Sequence, residues 1–284
     1  MFIHHVNHLN DNEYTPFGDG KNIIANVGGN YQLVSNVCPH QKSLISTQKG
    51  QGNRVCPYHG RSFYLDGKPL GDGRLACKND TPLKSELLYE WNHLLFTLPI
   101  ELTKFADFSN LKLVEERTDI VTGNAITIMD IFLDVDHIPV VHTGVYDQIG
   151  LTNVCEVEWE YFDWGSVQYV PRDTGYADEF ESTLLDEDKN NKYGAVWLAV
   201  YPGTMIEWQP GAVFITVNGV TENNQTPVKV YKYRDTRYSE RNWELNEEIW
   251  EKAWAQDKHQ ASLIVEVCSD NLEEQKLHFR QTLR

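Results

Sequence analysis

Apolar and polar positions run in short stretches through the first third of the chain. Residues 21–27 and 31–37 flank Gly28-Gly29-Asn30, a turn signal that predicts a hairpin. Asp66-Gly67 marks a second turn behind residues 62–65, and residues 87–97 predict one further strand. Strands punctuated by turns predict a compact β domain over residues 1–105. A boundary is expected near residues 99–110, with a second domain over 106–284. There the pattern changes. Residues 125–141 are apolar and predict a helix as far as Pro139, followed by strands at 154–162, 167–170, 195–201, 213–217 and 228–233. Residues 240–268 predict one long helix closing a mostly antiparallel sheet, which makes the second domain α+β. Trp250, Ala253, Trp254, Ala261, Ile264 and Cys268 recur at steps of three and four, so they share one face of that helix. Asp257 falls on the same face. An ionised carboxylate turned to a core is costly unless it is paired or metal-bound, so either ligation or a salt bridge to a buried arginine is expected there.

Composition narrows the classes. With 41% hydrophobic and 23% charged residues, the 284-residue chain is an ordinary globular protein with material for a core. A net charge of −16 repels phosphate backbones and anionic lipid, so neither nucleic acid nor a membrane surface is an expected partner. The opening MFIHHVNHLN has no basic run followed by an apolar one, so no signal peptide or anchor is expected; His4, His5 and His8 are taken as surface histidines. Five cysteines, Cys38, Cys56, Cys77, Cys155 and Cys268, are an odd number in a long chain. That argues against a disulfide framework and for a cytoplasmic protein using two of them as ligands.

Two constellations carry chemistry. The first is Cys38-Pro39-His40 followed by Cys56-Pro57-Tyr58-His59-Gly60. Two thiolates can hold one iron of a [2Fe–2S] cluster while two imidazoles hold the other. The same four ligands could form a structural zinc site, but zinc fingers pair Cys with Cys and His with His along the chain, whereas each loop here supplies one of each. The second is Asp134-Val135-Asp136-His137-Ile138-Pro139-Val140-Val141-His142. Two histidines and a carboxylate are the ligand set of the facial triad, which leaves coordination positions open. On a regular helix His137 and His142 would point about 140° apart. Pro139 disturbs the turn between them, and a broken turn would let both rings meet one metal. Taken alone, the pair is equally readable as two core histidines.

The loops 38–40 and 56–60 resemble those of the Rieske iron–sulfur family. Respiratory members carry an extra cysteine in each loop; Ser43 and Tyr58 stand at those positions, so the chain resembles the disulfide-free branch of Rieske ferredoxins and ring-hydroxylating oxygenases. The oxygenases often have Arg after the first His and Trp after His-Gly, where this chain has Gln41 and Arg61. The sequence continues well past the end of a ferredoxin, and its Asp-x2-His-x4-His segment with a distant Asp resembles the catalytic domain of Rieske non-haem iron oxygenases. The resemblance implies a helix-grip (START-like) second domain and a mononuclear Fe(II) held by His137, His142 and Asp257. It also implies a [2Fe–2S] cluster on Cys38, His40, Cys56 and His59, with Asp134 bridging His137 to His59 of a neighbouring subunit. By the same resemblance an NAD(P)H-dependent reductase, sometimes with a ferredoxin, supplies electrons, and subunits assemble head to tail as homotrimers. A small organic substrate, aromatic in many relatives, is then hydroxylated or demethylated with O2. The alternative is a Rieske electron-transfer protein whose second domain binds a ligand without chemistry. Trp197, Met205, Trp208 and Phe214 are expected either to line the substrate pocket or to be plain core.

Overall fold

The computed structural model describes residues 2–5, 9–70, 81–100, 108–151, 156–173, 178–267 and 272–283. His8, Cys77, Cys155 and Cys268 lie outside them. The chain divides into two compact units, Phe2–Ala106 and Asp107–Arg284. No helix among the described residues is long and apolar enough to cross a membrane.

The first unit is built from strands β1 (Phe2–His5), β2 (Glu13–Phe17), β3 (Asn22–Val27), β4 (Asn30–Ser35), β5 (Gly50–Gln51), β6 (Arg54–Val55), β7 (Ser62–Phe63), β8 (Pro69–Leu70), β9 (Ser85–Leu87), β10 (Tyr89–Trp91) and β11 (Leu94–Phe96). They form a five-stranded sheet in the order β5-β2-β3-β4-β9 and two three-stranded sheets, β6-β7-β8 and β1-β11-β10. The hairpin expected at Gly28-Gly29 is β3–β4, with both glycines at positive φ. The single strand expected over 87–97 is a hairpin instead. Asn92 and His93 take positive φ, and β10 folds back antiparallel on β11. That is the left-handed turn whose twist matches a tight hairpin, and Asn is among the residues that tolerate it.

The second unit is a seven-stranded antiparallel sheet: β12 (Leu111–Thr122), β13 (Glu158–Phe162), β14 (Gly165–Pro171), β15 (Tyr193–Val200), β16 (Thr204–Gln209), β17 (Ala212–Asn218) and β18 (Gln225–Asp235), in the order β12-β18-β17-β16-β15-β14-β13. An α+β unit with antiparallel sheet and long helix is therefore what the pattern predicts and what the chain forms. Two strands escaped the pattern. β12 reads LKLVEERTDIVT, whose charged side chains mask a period of two. β16 reads TMIEWQ, and all six of its residues are buried, so polar and apolar positions do not alternate in accessibility.

The helices are α1 (Ala125–Phe132), α2 (Ile138–Val141), α3 (Asp178–Glu181), α4 (Asp186–Lys189), α5 (Glu240–Leu263) and α6 (Glu274–Thr282). α5 starts where the Ser239 side chain accepts from the Asn242 amide, and it buries Trp243, Ile249, Trp250, Ala253, Trp254, Asp257 and Ala261 along one face. It ends at Leu263 rather than 268, and Ile264 lies past its end, 40% exposed. A stack of rings clamps α5 down. Phe214 of β17 lies 4.9 Å from Trp250, Trp250 lies 5.9 Å from Trp254, and Trp254 lies 5.9 Å from Phe132 of α1. Gly123 lets the chain before α1 pass close to α5, since a Cβ there would sit 3.1 Å from the Ala261 carbonyl oxygen.

The helix expected over 125–141 is broken. α1 stops at Phe132, and the Asp134 carboxylate accepts from the amides of Asp136 (3.0 Å) and His137 (3.3 Å). An acid that bonds its own following amides competes with the helix and restarts it. Pro139 then sits in the first turn of α2, where its missing N–H costs nothing, so it opens a helix rather than closing one.

Candidate metal centres and the pocket beside them

The two loops of the first unit are near-copies of one another in backbone bonding. The Cys38 amide donates to Ser43 O (2.9 Å), and Lys42 N donates back to Cys38 O (3.0 Å). Likewise the Cys56 amide donates to Arg61 O (2.7 Å), and Gly60 N donates to Cys56 O (2.9 Å). The fifth residue of each turn has positive φ, 58° at Lys42 and 72° at Gly60. Cys-x-His and Cys-x-x-His are thus carried on one kind of turn, twice.

This pairs the two candidate thiol ligands with each other and the two candidate imidazole ligands with each other. Cys38 and Cys56 are free thiols buried in the core, each 2% exposed, and their side chains interact. The His40 and His59 rings lie 4.8 Å apart, with His59 at the surface. Burial pushes the Cys38 thiol up, while the amides of His40 and Gln41 aimed at its sulfur pull it down and Cys56 adds to the rise. His40 Nδ1 is buried without a hydrogen-bond partner. Two buried thiols and an orphaned imidazole nitrogen fit a cluster whose iron would displace the thiol protons and accept the free lone pair.

The second candidate centre is assembled from α2 and α5. The break at Asp134 turns His137 so that its Nε2 lies 3.0 Å from Nε2 of His142. Asp257 Oδ1 lies 3.0 Å from His142 Nε2 and 3.4 Å from His137 Nε2. Asp257 Oδ1 makes no well-directed hydrogen bond, and the three atoms lie close enough together to share one ion. Donors bound about 2.1 Å from one ion at right angles stand about 3 Å apart, so the triangle fits three adjacent positions of a single metal.

Both rings are locked from behind. Gln256 Oε1 accepts at 2.8 Å from His142 Nδ1, which must therefore carry the hydrogen and leave Nε2 free. His137 Nδ1 bonds to the backbone carbonyl of Asp134. Burial disfavours the His142 imidazolium, but the Asp257 carboxylate outweighs it and holds the group up. Burial also disfavours ionised Asp257, and the two histidines overcome that and hold it down. The carboxyl is therefore kept charged, the form a metal needs.

Among the described residues, no histidine ring hydrogen-bonds to the Asp134 side chain. Its Oδ2 pairs with Lys276 Nζ of α6 at 2.9 Å, and Oδ1 caps the turn. A pocket with about 30 Å³ of enclosed space opens beside the triad. Trp197 and Met205 line it, with Tyr146 and Phe132. Trp208 and Phe214 are not among the lining residues; Phe214 belongs to the ring stack under α5. Sequence reasoning missed Gln256, Lys276 and Glu207. Glu207, on β16, also lines the pocket; burial pushes it up to about 7 against the opposing Trp250 N–H, which donates to it at 3.0 Å. A single acid in the buried run TMIEWQ was the signal that would have found it.

Residues 1–81 match the family model of the Rieske [2Fe-2S] domain, and the zinc alternative for this unit falls with that match. A putrescine 2-hydroxylase of Ralstonia nicotianae is 28% identical over 208 residues, covering 66% of this chain and 56% of the relative. The chain thus spans little more than half the length of that curated relative. A quaternary ammonium Rieske monooxygenase aligns with a TM-score of 0.69 at 14% identity, over 98% of this chain and 86% of that one. Naphthalene 1,2-dioxygenase with bound indole aligns at 0.65 and 14%, over 93% and 74%. The likeness to Rieske non-haem iron oxygenases drawn from the motifs is borne out, and the fold is that of their α subunits.

Proposed function

We propose that the chain is the terminal component of a Rieske oxygenase system, which inserts oxygen from O2 into a C–H bond of a small organic molecule. The observation that carries this reading is the convergence of His137, His142 and Asp257 beside a pocket, in a chain that also has a Rieske domain. Cys38, Cys56, His40 and His59 would hold the [2Fe–2S] cluster; His137, His142 and Asp257 would hold a mononuclear iron. Iron in that open site, with electrons from the cluster, supplies O2 activation, so that R–H, O2, two electrons and two protons give R–OH and water.

The chain's own residues have distinct tasks. Gln256 and the Asp134 carbonyl fix the two imidazoles. Phe132, Trp197 and Met205 surround the substrate with apolar surface and exclude water from it. Asp134 couples the site to the incoming electron, with Lys276 holding its carboxylate. Electrons come from an NAD(P)H-dependent reductase, directly or through a ferredoxin, in a cytoplasmic setting that keeps the thiols reduced. A homotrimeric ring would set the exposed His59 of one copy against Asp134 of the next. The relatives' names take in putrescine, quaternary ammonium compounds and naphthalene, so they leave the substrate class open.

The test is oxygen uptake driven by a reductase, with ¹⁸O2 and a panel of small amines and aromatics. Label in a product from the native protein, and none from Asp257→Ala, is expected. Product formation that survives Asp257→Ala would contradict the reading.

A further inference from the structure

Glu207 is not among the candidate ligands of either metal centre, and its position is chemically expensive. It lies on β16 with 6% of its surface exposed, and one carboxylate oxygen accepts from Trp250 Nε1. Among the described residues no lysine or arginine pairs with it. The charged groups that bear on it are His142 and Asp257, and the first is a candidate metal ligand in its neutral form. In its ionised form a carboxylate in such a place calls for a cation, and no lysine or arginine among the described residues supplies one.

The row of side chains across the sheet shows where that cation would sit. Glu207 stands directly opposite Trp197 of β15, so the two side chains share one face. Trp197 in turn lies 6.0 Å, ring to ring, from Tyr146, whose own ring packs edge-on to His142 at 5.4 Å. The pocket has the carboxylates of Asp134, Glu207 and Asp257 and the rings of Phe132, Tyr146 and Trp197 on its walls, and none of its lining residues is a lysine or arginine. Aromatic faces and a carboxylate together are the surroundings that favour an ammonium ion. An anionic substrate would meet Asp134, Glu207 and Asp257, with no lysine or arginine in the lining to offset them. The enclosed space is only about 30 Å³, room for a head group the size of an ammonium and little more.

We propose that Glu207 anchors the ammonium group of the substrate, and that the pocket selects a small alkylammonium ion. This rests on the oxygenase reading for its purpose, but its test does not require turnover. The anaerobic, iron-loaded protein is titrated in a calorimeter with butylammonium, with 1-butanol as a neutral mimic of similar shape, and with butyrate as the anion. Butylammonium should bind at least about tenfold more tightly than 1-butanol, and butyrate should not bind. Glu207→Gln keeps an acceptor for Trp250; it should weaken butylammonium at least about tenfold while leaving 1-butanol and the iron content unchanged.

The proposal is overturned if the native protein fails to prefer butylammonium, or fails to bind it at millimolar concentration; neither arm depends on the variant folding. It is also overturned if Glu207→Gln retains the preference, or if that variant loses iron and with it binding of all three probes, which would make Glu207 a support of the metal site. Failure of the oxygenase reading would appear separately, as missing mononuclear iron and absent oxygen uptake in a protein that still prefers the cation.

Discussion

The cluster site and the triad solve one problem, gathering metal ligands, in opposite ways. Cys38, His40, Cys56 and His59 come from two turns within one 22-residue segment, each closed by the same pair of backbone hydrogen bonds. Cysteines point into the core and His59 faces out, so the site has a buried and an exposed side. His137, His142 and Asp257 come from a broken helix and from α5, more than a hundred residues further on, and all three are at least half-buried. A locally closed site depends on turn geometry and little else. A site assembled at long range depends on the packing of α5 and on the groups behind its ligands. The first therefore suits an electron store, and the second an open centre whose reactivity is set by its surroundings.

The sharpest way to break this contrast is to remove one centre and ask about the other. Asp257→Ala should abolish substrate oxidation and bring the iron content from about three to about two atoms per chain, with the Rieske electron paramagnetic resonance signal intact. Loss of both centres together would mean that the units are not independent. A smaller effect is expected at Asp134. Asp134→Asn should keep both irons yet slow turnover by on the order of tenfold or more, and unchanged turnover would remove its coupling role. Gln256→Leu should weaken mononuclear iron about 10- to 100-fold in a competition with chelator, since His142 then loses the acceptor that fixes its tautomer. Least of all, Gly60→Ala should destabilise the first unit by about 1–2 kcal/mol in denaturant unfolding. No atom lies within 4 Å of the added Cβ, so the whole cost is the positive φ.

The same contrast explains what was legible beforehand. Cluster ligands that lie within one short segment announce themselves by spacing, and Cys38 through His59 could be picked out directly. Asp257 was legible because the apolar period of α5 runs through it. Gln256 is its neighbour and shares neither the period nor the charge, so nothing in the pattern marks it. Lys276 lies on α6, whose meeting with Asp134 is a matter of tertiary packing alone. The helix break at Asp134 was missed because its cause is a side chain capping its own backbone, while Pro139 drew attention to the wrong end. Strand β16 was missed because both of its faces are buried, and Glu207 went with it.

The central claim is that one polypeptide assembles a histidine-ligated cluster and a separate open iron site. Mössbauer spectroscopy of protein loaded anaerobically with ⁵⁷Fe and sulfide, read beside total iron and acid-labile sulfide, tests it most directly. The expected result is about three irons and two sulfides per chain, with the paired signals of a Rieske cluster and one high-spin ferrous site that disappears in Asp257→Ala. About two irons per chain, all of them in the cluster, would contradict it.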